Sequence, residues 1–237
     1  MSISDWTQIH THILQLEQDG LVTRTFRRLD PERQQVILTA ILEEAVARGP
    51  AAINIKEVAR RAEVSVGSLY QYFENRAGLL AFAVELSKRY ILDEFESFRP
   101  YLVAMPLREG LQAYLMGGVE WSQLQIWLVQ FFLKAAYQGD PQLEAAIVRP
   151  VADCLRGMVA EMLAAAVERG EVRAGIDLDA TVRLVHALTI AAGDSYLLPY
   201  LNAYFQVDIP DIPYERLVET LANLIVDGIG ADAPEQE

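Results

Sequence analysis

Apolar residues recur at every third or fourth position along most of this chain, which is the spacing of amphipathic α-helices. No stretch shows the strict alternation of apolar and polar residues that marks a β-strand. The chain is therefore predicted to be all-α. The predicted helices cover roughly residues 4–18, 31–48, 54–62, 65–73, 77–98, 106–121, 122–138, 141–169, 178–201 and 213–228.

Capping residues and prolines mark several helix boundaries. Asp30 followed by Pro31 predicts a helix start, because an aspartate caps the first turn and proline suits the first helical position. The helix that begins near residue 77 is predicted to end before Pro100. Pro150 lies inside a helical run, where its missing N–H group predicts a kink or a split.

Residues 54–80 carry the most specific pattern in the chain. Asn54 can cap a first short helix, and Ser65 can cap a second, which we call the reading helix. The apolar positions of the pair are Ile55, Val58, Ala59, Ala62, Leu69 and Phe73. Two short helices joined by a tight turn form the helix-turn-helix pattern, whose second helix enters the DNA major groove.

These residues resemble the signature of the tetracycline-repressor (TetR) family. The matching run is Val58-Ala59, then Ala62-Glu63-Val64-Ser65-Val66-Gly67-Ser68-Leu69-Tyr70-Gln71-Tyr72-Phe73, then Arg76 and Leu79-Leu80. Three positions depart from the family pattern: Asn54 stands for threonine, Glu63 for glycine and Arg76 for lysine. Only Glu63 changes the chemistry, because a non-glycine residue at positive φ costs about 1–2 kcal/mol. The turn is therefore either mildly strained or has an ordinary φ at Glu63.

The resemblance implies an N-terminal three-helix DNA-binding domain and a larger C-terminal helical domain for ligand binding and dimerisation. We expect four parts: an N-terminal extension over residues 1–29, the DNA-binding domain over 30–80, the ligand-binding and dimerisation domain over 81–230, and a disordered tail over 231–237.

The reading helix is predicted to expose several side chains to DNA. Gln71 can make paired hydrogen bonds to adenine, Ser68 can bond a base edge, and Val66 can contact a thymine methyl group. Gly67 lets the backbone approach DNA, and the resemblance implies a phosphate contact for Tyr72. The other candidates would contact phosphate and set register without reading sequence: Asn54, Lys56, Arg76 and, unless it packs inward, Tyr70.

The net charge of −13 is unusual for a DNA-binding protein and is unevenly distributed. Residues 1–80 hold nine Lys/Arg and ten Asp/Glu, whereas residues 81–237 hold eleven and twenty-three. A nearly neutral reading segment predicts weak sequence-independent affinity for DNA. Arg60 and Arg61 fit either a phosphate contact or a solvated helix face.

Large apolar side chains in the C-terminal part fit the ligand cavity that the resemblance implies, and equally fit an ordinary core. The candidates are Met116, Trp121, Trp127, Phe131, Met158, Met162 and Tyr196. Glu120 and Asp194 each have apolar neighbours in the sequence, where a carboxylate needs a partner or a shifted pKa. They fit either contacts to a cationic or hydroxylated ligand, or exposure at the surface.

The last long helix carries two apolar stripes, one of them formed by Val218, Ala222 and Val226. Two apolar faces need two partners, namely the domain's own core and a second subunit. The resemblance implies a four-helix bundle formed by the last two helices of each subunit. The predicted interface residues are Val182, Val185, Thr189, Leu217, Leu221, Leu224, Ile225 and Gly228.

The N-terminal extension lies outside the family pattern. Its predicted helix, capped by Ser4, places Trp6, Ile9, Ile13 and Leu16 along one stripe. This stripe fits docking on the protein's own surface or on a partner subunit, or else a regulatory arm, and His12 is expected at the surface. The connector over residues 20–29 carries three arginines, which fit either DNA contacts or a solvated linker.

Several classes of function find no support in the residues. There is one cysteine, Cys154, and one histidine beyond the N-terminal extension, His186, with no phosphate-binding glycine loop and no metal-spaced cluster. We therefore predict neither an enzyme nor a metal or cofactor site. No apolar run reaches the length of a membrane span, and the N-terminus lacks the pattern of a signal peptide. Together with the lone cysteine, this predicts a cytoplasmic protein.

The combined prediction is a homodimeric transcriptional repressor of TetR type. It would bind a pseudo-palindromic operator and be released by a small, largely apolar ligand in its C-terminal domain. The alternative is a helical carrier or sequestering protein whose DNA binding is lost or secondary.

Overall fold

Helices form almost the whole of the structure, a computed structural model that describes residues 6–209 and 211–230. Within these ranges the extended backbone amounts to an isolated bridge between Val172 and Gly230, which confirms the all-α prediction. Ser4 and the predicted tail lie outside the described residues. The α-helices are α1 (Trp6–Gln18), α2 (Arg24–Arg27), α3 (Pro31–Arg48), α4 (Ile55–Arg61), α5 (Val66–Phe73), α6 (Arg76–Ala104), α7 (Leu107–Leu124), α8 (Ile126–Gln138), α9 (Pro141–Leu143), α10 (Arg149–Glu168), α11 (Leu178–Leu197), α12 (Pro199–Phe205) and α13 (Tyr214–Ile229).

The chain divides into two compact units. The first contains Met1–Glu94 together with Leu124–Val151, and the second contains Phe95–Gln123 together with Ala152–Glu237. This division does not follow residue 80, because α8 packs on α3 and on the 3₁₀ turn Pro50–Ala52 and so joins the reading segment. A boundary at residue 80 between DNA binding and ligand binding stays a prediction about function.

Several helix boundaries differ from the predicted ones. The run predicted over residues 178–201 is two helices, because α11 ends at Leu197 and Pro199 begins α12. Helix α6 continues through Pro100 to Ala104, and Arg169 holds the carbonyls that follow, donating to Val103 O at 3.1 Å and Met105 O at 2.8 Å. The break between α7 and α8 falls at Gln125 rather than after residue 121. Before Pro150 the helix widens into a π-helical turn, Glu144–Val148, which is the predicted interruption in another form.

The N-terminal helix α1 packs on the first unit. Ile9, Ile13 and Leu16 are fully buried there, so the stripe docks on the protein's own surface. The side chain of Trp6 lies outside the described side chains. The prediction of a surface position for His12 is wrong, because its ring is buried edge-on to Tyr90 and its Nε2 lies 3.4 Å from an Asp93 carboxylate oxygen.

Candidate nucleic-acid interface

The helix-turn-helix forms because three polar side chains begin its helices where the sequence predicts. Asp30 accepts a hydrogen bond from Arg33 N at 2.8 Å, Asn54 from Lys56 N at 3.0 Å, and Ser65 from Ser68 N at 2.9 Å. Each cap satisfies a backbone donor that has no partner inside its helix. Helices α3, α4 and α5 thus begin as the capping residues indicate.

The turn between α4 and α5 adopts the strained alternative. Glu63 has a φ of 52°, a conformation that favours glycine. The guanidinium of Arg33 donates to Glu63 O at 2.8 Å, so α3 holds the turn from outside. The turn therefore has a glutamate in a conformation that favours glycine, and a hydrogen bond from Arg33 to the carbonyl of that glutamate.

The reading helix, α5, ends in a second strained conformation. Glu74 has a φ of 62° and a ψ of −55°, and Asn75 N donates to Phe73 O at 2.6 Å, which together form a γ-turn of the rare positive-φ type. Gly78 is needed beside it, because a Cβ there would lie 2.3 Å from Phe73 O. The exit from the reading helix is therefore tightly fixed.

The predicted base contacts lie on the outer side of the reading helix. Gln71 and Gly67 are exposed, and Val66 and Ser68 are half-buried. The Ser68 hydroxyl lies 2.8 Å from the hydroxyl of Ser65, so a base contact by Ser68 has to share it with the cap. Tyr70, for which two orientations were open, is 45% exposed and points outward.

Tyr72 differs from its prediction. Its side chain is only 8% exposed, and its ring packs at 5.7 Å from Phe26 and 6.2 Å from Phe73. The expectation that the reading helix exposes Tyr72 is therefore wrong, because α2 covers it. A phosphate contact by Tyr72 stays a prediction, and only the small exposed part of its side chain is open to make that contact.

Most cations of the first unit are already engaged within it. Arg76, a predicted phosphate contact, donates to Ile53 O at 2.7 Å and also to Ala51 O, so it holds the segment before α4. Arg60 pairs with Glu57 at 2.5 Å, and Arg61 lies 3.5–3.6 Å from three glutamates. The two arginines whose role was open thus form part of an ion-pair network between α3 and α4.

Three exposed cations near the reading helix have no such partner. Lys56, Arg24 and Arg28 form no ion pair or side-chain hydrogen bond among the described residues. Lys56 is in α4, whereas Arg24 is the first residue of the short helix α2 and Arg28 follows its last residue. The structure therefore leaves these three side chains available for phosphate contacts.

The connector before α3 is more ordered than the sequence indicates. Helix α2 buries Phe26 completely in a cluster with Phe73 at 5.2 Å and Phe82 at 5.5 Å. Neither Phe26 nor Thr23 is predicted from the sequence, because the arginines dominate this segment. An available signal was the four-residue spacing of Val22 and Phe26, both of which are buried.

The predicted ligand-lining residues are divided between the two units. Trp127 and Phe131 belong to the first unit, and the other seven belong to the second. Within the second unit Met158 and Met162 are buried, and Trp121 is half-buried with its ring 5.6 Å from that of Phe95. Met116 is half-buried and Glu120 is exposed, so the surface alternative holds for Glu120.

Asp194 instead lies in a buried group of polar side chains in the second unit. Burial raises the pKa of the Tyr114 hydroxyl well above its usual range, and the nearby Asp194 carboxylate raises it further, although a hydrogen bond with Thr189 opposes both effects. The rings of Tyr196 and Tyr214 stack at 4.4 Å. The buried hydroxyl of Tyr214 has no hydrogen-bond partner among the described residues, and burial raises its pKa as well.

The predicted dimer residues separate into an inner and an outer set. Val182, Val185, Thr189 and Ile225 are buried within their own chain, so their assignment to an intersubunit surface is wrong. Leu217 and Leu221 are half-buried, whereas Leu224 and Gly228 are exposed. Helix α11 also carries exposed leucines, Leu184 and Leu188. Helical spacing predicted where the helices lie, but it did not show which face of each helix packs against the protein's own core.

Neither a metal site nor a membrane span is found in the part of the chain that the structure describes. No group of three or more His, Cys, Asp or Glu side chains there could hold a metal ion. Among the same residues no helix is both long enough and apolar enough to cross a membrane.

Comparison with known proteins matches two regions of the chain. A family model described as "Bacterial regulatory proteins, tetR family" matches residues 37–82. A second model, described as "Tetracyclin repressor-like, C-terminal domain", matches residues 107–192. The first match contains the helix-turn-helix, and the second contains helices α7 to α10 and most of α11.

Curated relatives and solved structures agree with these matches. The repressor KstR of Mycolicibacterium smegmatis is 32% identical over 118 residues, which is 50% of this chain and 50% of that protein. KstR of Rhodococcus jostii is 33% identical over 118 residues, 50% of this chain and 47% of its own length, so the chain spans about half the length of these relatives. A TetR-family regulator from Chloroflexus aurantiacus has the same fold, with a TM-score of 0.63 at 16% identity over 88% of this chain and 98% of that chain. FadR of Bacillus subtilis, solved with stearoyl-CoA, has a TM-score of 0.60 at 19% identity over 82% of this chain and 98% of that chain.

Proposed function

Because the chain belongs to the TetR family of bacterial regulatory proteins, we propose that it is a homodimeric transcriptional repressor that a small effector releases from a pseudo-palindromic operator. The observation that carries this proposal is the outer face of the reading helix. Gln71 and Tyr70 are exposed there on a helix that is capped at its start and held in a strained turn at its end. A rigid helix with an exposed amide side chain suits base recognition in the major groove.

The distribution of cations makes sequence recognition important for this protein. With most arginines of the first unit engaged internally, phosphate attraction rests on Lys56, Arg24 and Arg28. Few phosphate contacts give weak sequence-independent binding and a shallow dependence of affinity on salt. Specific binding therefore depends on base contacts and on two reading helices acting together in the dimer.

Replacing Gln71 by alanine tests the base contact. We expect wild-type protein to enrich a two-fold related site from a randomised duplex library, and Gln71→Ala to bind that site with a loss of about 1–3 kcal/mol. Preference at one base step per half-site should relax, because the paired hydrogen bonds to adenine are gone. Affinity for the selected duplex and for single-base variants, measured by fluorescence anisotropy, checks this.

Lys56→Gln is the matched control for this experiment. It should weaken binding to all duplexes about equally and reduce the salt slope by about one per subunit, hence about two for the dimer, since a phosphate contact carries no sequence information. If wild-type protein enriched no sequence, the regulator would be the wrong function and the carrier alternative would take its place. If Gln71→Ala discriminated as well as wild type, Gln71 would not read a base.

We infer that the effector binds in the second unit. A largely apolar effector with one hydrogen-bond acceptor suits the buried methionines, Asp194 and the Tyr196–Tyr214 pair of this unit. The Tyr214 hydroxyl is protonated at physiological pH, as an ordinary tyrosine is, and burial raises its pKa further, so it is available as a donor. A buried donor without a partner costs stability that a ligand with an acceptor group recovers.

Replacing Tyr214 by phenylalanine should therefore stabilise the ligand-free protein. Removing an unpaired buried hydroxyl is expected to raise the free energy of unfolding by about 1 kcal/mol, because its desolvation is no longer required. Urea unfolding of wild type and variant measures this. Tyr204→Phe is the control, since Tyr204 is largely exposed and its hydroxyl is open to water. A loss of stability in Tyr214→Phe would show that the hydroxyl already has a partner.

The effector itself can be sought with acyl-CoA thioesters, beginning with stearoyl-CoA, the molecule bound in the FadR structure. Release of the selected duplex by one of these compounds, weaker in Tyr214→Phe than in wild type, would support this site. Release that is equal in the two proteins would place the effector elsewhere.

A further inference from the structure

Thr23, the residue just before helix α2, contacts the C-terminal end of the reading helix. The last four carbonyls of any α-helix lack partners within the helix and need others. In the reading helix, Tyr70 O accepts from Glu74 N at 3.1 Å and Phe73 O accepts from Asn75 N at 2.6 Å. The two carbonyls between them accept from Thr23: Gln71 O from its hydroxyl at 2.8 Å and Tyr72 O from its backbone N–H at 3.0 Å.

The hydroxyl of Thr23 does not cap the helix that Thr23 precedes. Thr23 occupies the N-cap position of α2, with a φ of −84° and a ψ of 158°, but its side chain makes no capping hydrogen bond to that helix. An N-cap threonine ordinarily accepts a hydrogen bond from the first turn of its own helix. Here the hydroxyl instead donates to a residue 48 positions further along the chain.

The segment around Thr23 is itself anchored on both sides. The buried side chain of Gln34 donates to Phe26 O at 3.1 Å and to Arg27 O at 3.0 Å, which ties α2 to α3. Arg27 forms an ion pair with Glu17 of α1. Phe26 places its ring against those of Tyr72 and Phe73. The contact of Thr23 with the reading helix is therefore made from a fixed support.

We propose that Thr23 is a positioning residue for DNA recognition, which sets the orientation of the last turn of the reading helix and with it the side chain of Gln71. The proposal rests on the proposed function, because it assumes that Gln71 reads a base. It assigns the N-terminal extension to the DNA-reading machinery. The hydroxyl holds the backbone carbonyl of the residue that makes the base contact, so its loss frees that turn to move.

Thr23→Val removes the hydroxyl and keeps the branched shape, and Thr23→Ser restores the hydroxyl. We expect Thr23→Val to lower discrimination at the base step read by Gln71 about fivefold, within the range that one paired base contact provides. Thr23→Ser should keep the wild-type ratio. Thr25→Val is the matched control, because Thr25 is exposed on the same helix and makes no side-chain hydrogen bond among the described residues.

The probe is the duplex that wild-type protein enriches, together with its variant at the step that Gln71→Ala identifies. The measured quantity is the ratio of the two dissociation constants, which a smaller folded fraction leaves unchanged. Amide hydrogen exchange at 71–75 provides a second measurement, with faster exchange there in Thr23→Val than in Thr25→Val. An unchanged ratio, or acceleration spread evenly over the first unit, would overturn the proposal. Failure of wild-type protein to enrich any duplex would instead overturn the proposed function.

Discussion

Arginine in place of both Leu188 and Leu224 should convert the protein into monomers and weaken binding to its selected duplex at least about 100-fold. Leu188 is 45% exposed and Leu224 is 67% exposed in the single chain, on the two helices proposed to pair between subunits. Leucines exposed to this degree beside half-buried Leu217 and Leu221 form an apolar surface that needs a partner. Two charged residues on each subunit would have to be desolvated to keep that interface.

The loss of DNA affinity follows from the loss of the second reading helix. In a dimer the second half-site is bound intramolecularly, which raises affinity by about 10²–10⁴ over that of one reading helix. Since the sequence-independent attraction to DNA is weak, it cannot replace the affinity that a monomer loses with the second half-site. Sedimentation velocity gives the oligomeric state, and fluorescence anisotropy gives the affinity.

Val167→Arg is the control for this experiment. Val167 is also exposed in the second unit but lies on α10, outside the proposed surface. Its variant should stay dimeric and bind the duplex as wild type does. A Leu188→Arg/Leu224→Arg protein that remained dimeric would place the interface on another surface of the chain.

The sequence predicted most reliably what depends on neighbouring residues. Capping by Asp30, Asn54 and Ser65 is decided within three positions of each residue, and all three caps are found in the structure. The family resemblance rests on the same local signals. Helix identity and the start of each helix of the DNA-binding segment could therefore be predicted without any knowledge of tertiary contacts.

The predictions that were wrong depend on contacts between distant residues. Tyr72 lies on an outer position of the reading helix by spacing alone, but Phe26, 46 positions earlier in the chain, covers it. The sequence also did not show that the carbonyls of residues 51 and 53 hold the guanidinium of Arg76, whose phosphate contact stays a prediction. Val182 and Val185 were assigned to the interface because spacing marks an apolar face without showing what it meets. In each case the missing information is which other segment lies opposite.

The free energy of unfolding of the first unit should fall by about 3–5 kcal/mol when Arg48 and Arg61 are both replaced by methionine. Their common partner is Glu44, whose side chain is only 1% exposed. Arg48 Nε lies 2.9 Å from one carboxylate oxygen of Glu44, and Arg61 Nε lies 3.6 Å from the other. Neither oxygen has another hydrogen-bond partner among the described residues. The double variant would leave a buried charge without compensation.

A third substitution separates this explanation from a simple loss of packing. Adding Glu44→Met to the double variant removes the buried charge, and replacing a whole buried ionic group by apolar residues is often neutral or stabilising. The triple variant should therefore recover most of the lost stability in urea unfolding followed by circular dichroism. Arg60→Met, which removes only the exposed partner of Glu57, should leave unfolding unchanged. If the triple variant were as unstable as the double one, the arginines would stabilise α3 and α4 through their aliphatic stems rather than through the charge of Glu44.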